Sequence, residues 1–142
     1  MSEMVSLTVP SHPKFLYVIR SVLYPVALDA GFSRKEARRI VLAVDEAGSN
    51  IIKFAYEGDA AGTIAVKVAH DTAKLTIVLT DSGKKPDVAK IAPRKLEEVR
   101  PGGLGTHFIS AVFDRVNYDT SGASGTVLTL EKSTVIKSGK AV

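Results

Sequence analysis

Residues 41–56 read VLAVDEAGSNIIKFAY, and they combine an apolar stripe with a polar pair. The apolar residues recur at helical spacing, so we expect an amphipathic helix with one buried face. Glu46 and Asn50 lie four residues apart, which places them one turn apart on one flank of that helix. A carboxylate can accept a proton and an amide oxygen can ligate a hard cation such as magnesium, although by spacing alone an ordinary solvated flank is the better interpretation. The apolar positions are Val44, Ala47, Ile51 and Ala55.

The helix that carries this stretch begins at a recognisable cap. Ser33 and Glu36 form a capping-box pattern, in which each side chain bonds the backbone N–H of the other residue. We expect the helix to run from there to about Tyr56, before Gly58.

An earlier helix is predicted between Lys14 and Ala30. Its apolar residues have helical period, Ser11 is expected to cap its first turn, and Gly31 is expected to end it. Pro25 should kink this helix or begin a second one, because proline lacks the backbone N–H that a helix interior uses.

Most of the other periodic segments alternate apolar and polar residues, as strands do. Two of them, separated by Asp71-Thr72-Ala73, predict a β-hairpin. A further helix is expected from Thr106 to Phe113, and the long basic stretch before it is expected to be a functional or mobile loop. The predicted strands are Met4–Val9, Thr63–His70, Lys74–Thr80, Val116–Tyr118 and Thr126–Leu130.

The composition is that of one globular domain, which we place at residues 1–132, followed by a flexible tail at residues 133–142. Apolar residues make up 45% of the chain and charged residues 24%, as in ordinary soluble domains. The absence of cysteine excludes disulfides and thiolate metal sites, and it fits a cytoplasmic location. The net charge of +4 is mild and scattered, which does not favour nucleic-acid binding, and no apolar run approaches the ~20 residues that span a membrane.

Two short motifs offer a place for a phosphate-bearing ligand. Gly102-Gly103-Leu104-Gly105 opens a predicted helix, where unpaired N–H groups attract anions and glycine lets a ligand approach the backbone. Asp81-Ser82-Gly83 ends a predicted strand. Each motif is weak alone, because glycine before a helix and Asp-x-Gly in a turn are both common. The three histidines, His12, His70 and His107, lack metal-ligand spacing.

The order of these pieces is far more specific than any one of them. Glu46-x3-Asn50 on a helix is followed by a hairpin, Asp81-x-Gly83, a basic loop, the glycine-rich helix start, and Gly125-Thr126 in a last strand. This order resembles the GHKL ATPase superfamily, and within it the anti-sigma-factor serine-protein kinases of the RsbW type. The resemblance covers residues 7–132. It implies an α/β two-layer sandwich, the Bergerat ATP-binding fold, with a mixed, mostly antiparallel sheet and helices on one face.

The resemblance also implies roles for individual residues. Glu46 would be the general base and Asn50 the ligand of Mg²⁺. Asp81 would accept a hydrogen bond from the amino group of adenine, Gly83 would leave room for the ring, and Thr126 would support the adenine end.

The phosphates of ATP would be bound through the glycine-rich segment and the helix before it. Lys53 matches the version of the motif found in histidine kinases, whereas Phe54 stands where the anti-sigma subgroup often has histidine. The basic loop ends in Arg100-Pro101, unlike the acidic-ended loops of the family. The residues assigned to this end are Asn50, Lys53, Gly102, Gly103, Leu104, Gly105 and Thr106.

The implied activity is transfer of the γ-phosphoryl group of ATP to a serine or threonine of a STAS-type anti-anti-sigma protein. The chain would also bind and inhibit an RNA polymerase sigma factor, and a homodimer is compatible with this role. Arg20 on the first helix is expected to contact the anti-anti-sigma protein, although a solvated arginine explains its position equally well. The alternative is a nucleotide-binding switch module without significant kinase activity.

Overall fold

The computed structural model of the chain describes residues 5–85 and 103–134, and for residues 103–106 it describes the backbone alone. Five strands form one sheet in the order β1-β2-β3-β5-β4, and each of the four pairings between them is antiparallel. The strands are β1 (Val5–Pro10), β2 (Thr63–His70), β3 (Lys74–Asp81), β4 (Arg115–Asp119) and β5 (Thr126–Ser133). The helices are α1 (Leu16–Asp29), α2 (Arg34–Asn50) and α3 (Gly103–Val112), with a 3-10 turn at Pro13–Phe15 and a π-helix at Ile51–Ala55.

One face of the sheet is buried beneath the helices. The side chains at alternate positions of β2, β3 and β5 are almost inaccessible, and they form one hydrophobic cluster with the inner stripes of α1 and α2. The register places Val66 opposite Leu79 and Leu79 opposite Leu128, so the inward side chains meet across the strands. These observations confirm the predicted two-layer α/β sandwich.

Helix α1 differs at its start from the sequence prediction. The residue that caps the 3-10 turn before it is His12, whose Nδ1 accepts a hydrogen bond from the Lys14 N–H at 3.1 Å. The predicted Ser11 cap is wrong. Ser11 is fully buried, and its hydroxyl donates to the carbonyl oxygen of Asp59 at 2.6 Å, so this long-range partner outcompetes the local one.

The rest of α1 follows the expected chemistry. The helix runs through Pro25 as one element, so the second start that we considered there does not occur. It ends in a Schellman motif around Gly31, whose φ of 105° favours glycine. The Phe32 N–H donates to the Ala27 carbonyl and the Gly31 N–H to the Leu28 carbonyl, which satisfies the last turn.

Helix α2 has the predicted start, and its apolar stripe is buried as expected. Ser33 and Glu36 form both hydrogen bonds of the capping box. The helical segment ends at Ala55, with Tyr56 as the residue that caps it. Its last turn is not α-helical, because after Asn50 the backbone widens into a π-helix at Ile51–Ala55. Such π segments are rare and often occur at functional sites.

The remaining boundaries agree with the prediction to within a few residues. The hairpin of β2 and β3 forms as expected, because the carboxylate of Asp71 accepts from the N–H groups of Ala73 and Lys74 and so fixes the turn. Strand β5 continues to Ser133, past the predicted strand end, and residues 135–142 of the predicted tail lie outside the described residues. Most of the predicted basic loop, residues 86–102, also lies outside them. In the part of the chain that is described, no helix is both long and apolar enough to cross a membrane.

Candidate active site

A polar pair lies at one end of the otherwise apolar inner face of the sheet. Asp81 is the last residue of β3 and Thr126 is the first residue of β5, and the two are register partners. Only 6% of Asp81 and 7% of Thr126 is exposed, so a carboxylate and a hydroxyl are buried side by side. The sequence order separates them by 45 positions, and the β3–β5 pairing brings them together.

The carboxylate of Asp81 is fixed by the backbone around it. Its Oδ1 accepts a hydrogen bond from the Gly83 N–H at 2.9 Å. Burial raises the pKa of Asp81 above its usual value, while hydrogen bonds from the backbone at Gly83 and Thr126 act in the opposite direction. A carboxylate has about four acceptor positions, so Asp81 keeps capacity for a donor group of a ligand.

Gly83 lies directly against the π-helix. A side-chain carbon at this position would overlap the carbonyl oxygen of Ala55. That carbonyl also accepts a hydrogen bond from the Lys84 N–H at 2.7 Å, which fastens the end of β3 to the helix. The close approach requires glycine, and it packs the Asp81–Gly83 turn directly on the π-helix.

Gly125 closes the same corner from the side of β5. Its φ of 73° favours glycine, and a side-chain carbon there would overlap the carbonyl of Asp81. Its N–H donates to the Gly83 carbonyl at 2.9 Å. Three segments that are far apart in the sequence therefore meet here: the π-helix, the Asp81–Gly83 turn and the start of β5.

Tyr56 joins two of these segments, and the sequence analysis did not identify it as a site residue. Its hydroxyl donates to the Thr63 carbonyl at 2.7 Å and accepts from the Ser82 N–H at 2.8 Å. Neither partner is predictable from local pattern, because both contacts depend on how β2 and β3 pack against the end of the helix.

Asn50 lies where the α-helix changes into the π-helix. Its Oδ1 is buried and has no hydrogen-bond partner, and within the described residues only Thr76 Oγ1, in β3, shares that condition. An unpartnered buried oxygen is costly, so a native structure that contains one needs an explanation. An amide oxygen is a ligand that Mg²⁺ accepts, and the environment of Asn50 therefore fits the predicted role.

Glu46 is half-buried on the flank of α2 that faces α3. Arg39, seven residues earlier and so on the same flank, places its guanidinium over the ring of Phe108 at 5.4 Å, and Phe108 belongs to α3. The predicted pair of Glu46 and Asn50 therefore lies along the side of α2 toward the glycine-rich helix. Lys53 is exposed on the π-helix beside it.

The glycine-rich segment forms the first turn of α3. The helix begins at Gly103, three residues before the predicted start, and includes Leu104, Gly105 and Thr106. The first N–H groups of a helix have no partner within it, so this turn offers donors to an anion. Gly102 and the side chains of Leu104 and Thr106 lie outside what the structure describes.

Within the described residues, Asn50 Oδ1 is one candidate ligand for a cation, and it does not complete a coordination shell by itself. No group of three or more histidine, cysteine, aspartate or glutamate side chains within them could hold a metal ion. A magnesium ion at Asn50 would need further oxygen ligands, and the phosphates of a bound nucleotide are a source of them.

Arg20 belongs to α1 and not to the segments that meet at Asp81. It is exposed on α1 and forms an ion pair with Asp45 of α2, so the structure does not bring it into the site. The neighbouring face of the two helices also carries the exposed side chains of Tyr17 and Leu42.

Comparison with known proteins supports the same interpretation. A family model described as "Histidine kinase-like ATPase domain" matches residues 9–132. The chain is 25% identical over 123 residues to serine-protein kinase RsbW of Bacillus subtilis, covering 81% of this chain and 77% of that protein. It is 31% identical over 124 residues to serine-protein kinase RsbW of Listeria monocytogenes serotype 4b, covering 82% of this chain and 79% of that protein.

A solved structure has the same fold. It contains the RsbU and RsbW domains of Rv1364c from Mycobacterium tuberculosis, and it superposes with a TM-score of 0.63 at 18% sequence identity. The match covers 93% of this chain but 32% of that longer chain, so the likeness concerns one part of it.

Proposed function

This chain belongs to the family of histidine kinase-like ATPase domains, and from that premise we propose that it binds ATP and phosphorylates a serine or threonine of a partner protein. The partner is a STAS-type anti-anti-sigma protein, and the chain also binds and inhibits a sigma factor in the cytoplasm. Relatives named serine-protein kinase RsbW support this role. The observation that carries the nucleotide half of the proposal is the buried carboxylate of Asp81, which has acceptor capacity left at the corner where the π-helix, the Asp81–Gly83 turn and the start of β5 meet.

The base of the nucleotide binds at the Asp81 corner. Asp81 accepts a hydrogen bond from the exocyclic amino group of adenine, and Thr126 supports the same end. Gly83 and Gly125 keep this corner compact, because a side chain at either position would overlap the Ala55 or the Asp81 carbonyl and push the segments apart. A guanine has an oxygen where adenine has the amino group, so this corner rejects it by leaving two acceptors facing each other.

The phosphates bind between α2 and the first turn of α3. The N–H groups of Gly103, Leu104 and Gly105 donate to phosphate oxygens, with Gly102 and Thr106 beside them, and Lys53 contributes a positive charge. Asn50 Oδ1 ligates Mg²⁺, which satisfies the buried oxygen that otherwise has no partner. When bound there, Mg²⁺ would supply charge neutralisation at the phosphates.

Glu46 takes the proton of the acceptor hydroxyl. The serine oxygen forms a bond to the γ-phosphorus as the bond from that phosphorus to the bridging oxygen breaks, and ADP leaves. In phosphoryl transfer the protein acts mainly by positioning and electrostatics, so the base takes its proton late.

The direct test is phosphate transfer to a protein. The wild-type chain is mixed with Mg-ATP and candidate STAS-domain proteins, and the products are analysed by intact-mass and peptide mass spectrometry. We expect one phosphate on a serine or threonine of the cognate STAS protein. If the chain binds ATP and a sigma factor but phosphorylates none of the STAS proteins, the alternative of a nucleotide-gated binding module is correct.

The partner contact is proposed at Arg20. Its exposed position beside Tyr17 and Leu42 on the outer face of α1 and α2 supports this assignment. Arg20→Ala should weaken binding of the STAS protein while Mg-ATP binding stays unchanged, with Lys67→Ala on β2 as the control for loss of an exposed charge. Unchanged STAS affinity would make Arg20 an ordinary solvated arginine.

A further inference from the structure

The hydroxyl of Tyr56 is in contact with the turn that carries Asp81. It accepts a hydrogen bond from the Ser82 N–H at 2.8 Å, and Ser82 lies between Asp81 and Gly83. The same hydroxyl donates to the Thr63 carbonyl at 2.7 Å, at the first residue of β2. A phenol has one donor and can also accept, so these two bonds use its donor and one acceptor position.

The ring of Tyr56 has little freedom to leave this position. The tyrosine ends the π-helix, where its N–H donates to the Ile51 carbonyl at 3.1 Å. Its ring packs against the hydrophobic core, and a side-chain carbon at Gly62 would overlap the ring. The ring and the backbone together fix where the hydroxyl can lie.

The Asp81–Gly83 turn is therefore fastened to the end of the helix at three points. These are the bond from Ser82 to the Tyr56 hydroxyl, the bond from Lys84 to the Ala55 carbonyl, and the direct packing of Gly83 on that carbonyl. The tyrosine contact is the one that lies next to the carboxylate in sequence. It is also the one that a conservative substitution can remove without changing the backbone.

We propose that Tyr56 is a positioning residue for base recognition: its hydroxyl holds the Asp81–Gly83 turn so that the carboxylate meets the amino group of adenine. This inference rests on the proposed nucleotide site. Tyr56 touches no part of the nucleotide and acts through Asp81. Its loss should change how well the site distinguishes one base from another, whereas a merely structural tyrosine would change stability alone.

The test compares nucleotide affinities of the wild type and Tyr56→Phe by calorimetry. The ring remains and only the hydroxyl is removed, and the Ser82 N–H is near the surface where water can replace the lost partner. We expect affinity for Mg-ATP to fall by about tenfold, the effect of one lost hydrogen bond in a positioned network. Affinity for Mg-GTP should be nearly unchanged, so the ratio of ATP to GTP affinity should fall by a similar factor.

Two further variants keep the test sharp. Tyr24→Phe removes a hydroxyl from α1, away from the site, and should leave both affinities at the wild-type level. Gly62→Ala keeps the hydroxyl but displaces the Tyr56 ring that carries it, and it should reproduce the loss of base selectivity.

The two possible failures are distinguishable. If Tyr56→Phe keeps the wild-type affinity for ATP and the wild-type ATP-to-GTP ratio, Tyr56 is a structural residue and the inference is overturned, while the proposed nucleotide site stands. If the wild type itself binds no adenine nucleotide, the proposed function fails and the inference fails with it.

Discussion

Asn50 and Glu46 lie one turn apart on α2, yet their surroundings differ. Asn50 has a buried oxygen without a partner, whereas Glu46 is half-buried on the flank toward α3. Sequence spacing predicted that the two residues share a flank, which the helix confirms. It could not predict the orphaned oxygen, because burial of one atom depends on the packing around it.

The first prediction separates the two residues. Asn50→Ala removes the proposed magnesium ligand, so both Mg-ATP affinity and phosphate transfer should fall together. Glu46→Gln keeps the size of the side chain but removes the proposed base, so Mg-ATP should bind almost normally. Bases contribute ~10²–10⁴-fold to such reactions, and a proton taken late places the effect at the lower end, so transfer should slow by at least about tenfold.

Calorimetric titration and single-turnover transfer on the same preparations measure this split. Ser49→Ala, one residue from Asn50 on a different side of the helix, is the control and should behave as the wild type in both assays. Transfer at the wild-type rate by Glu46→Gln would remove Glu46 from the chemistry.

The acidity of Asp81 gives a second prediction. Burial raises the pKa of Asp81 in the folded chain, so the ionised form is disfavoured there relative to the unfolded chain. The stability contribution of this group is fully present below the unfolded pKa and is lost as pH rises through the raised folded pKa. At pH 7 the ionised, buried carboxylate of Asp81 therefore lowers the free energy of unfolding, and an uncharged side chain at the same position would not.

Asp81→Asn should accordingly have a free energy of unfolding at pH 7 that equals or exceeds that of the wild type. Below the pKa of an unfolded aspartate this advantage should vanish, because the wild-type carboxyl is then protonated. Urea denaturation of both proteins across pH 3–8 measures the difference. A variant that is clearly less stable at pH 7 would show that Asp81 stabilises the fold and is not retained at a cost for ligand binding.

At the scale of elements, hydrophobic period was sufficient to predict the helices and strands, and the capping box predicted the start of α2. The π-helix at Ile51–Ala55 was not predictable in this way, because its apolar residues fit an α-helical stripe equally well. Its last residue is contacted by the segment after β3, where Lys84 donates to the Ala55 carbonyl and Gly83 packs on it, and local sequence cannot reveal such contacts. The cap at His12 was missed for a related reason, since the long-range bond of Ser11 was invisible to local pattern.

The third prediction concerns the contact between the π-helix and β3. Gly83→Ala forces a side-chain carbon against the Ala55 carbonyl, so the turn must move away from the helix. We expect a loss of ~1–3 kcal/mol in the free energy of unfolding, typical of overpacking, together with at least tenfold weaker ATP binding.

Gly122→Ala is the matched control for this substitution. A side-chain carbon at Gly122 would meet only the Ser124 carbonyl at an ordinary 3.8 Å, so stability and ATP binding should stay near the wild-type values. Equal behaviour of the two variants in denaturation and calorimetry would show that the close approach at Gly83 is unimportant.

At the scale of the whole molecule, the order of motifs identified the family and hence the fold. Two contacts could not be predicted from the sequence. Asp81 pairs with Thr126 because of the strand order, and Tyr56 contacts Ser82 because of how the helix packs on the sheet. The β3–β5 pairing places the corner where three separate segments meet at one end of an otherwise apolar inner sheet face. Because Asp81 and Thr126 are buried there, little water competes with a ligand for their hydrogen bonds.

The measurement that tests the central claim most directly is the free energy of unfolding with and without Mg-ATP, for the wild type and Asp81→Asn. A ligand that binds only the folded chain stabilises it by ~2.7 kcal/mol at a hundredfold excess over its Kd. We expect a gain of this size for the wild type, and no gain for Asp81→Asn at the same ATP concentration despite its undiminished stability alone. Absence of stabilisation of the wild type by any adenine nucleotide, or an equal gain in both proteins, would contradict the assignment of Asp81 and its neighbours as an ATP site.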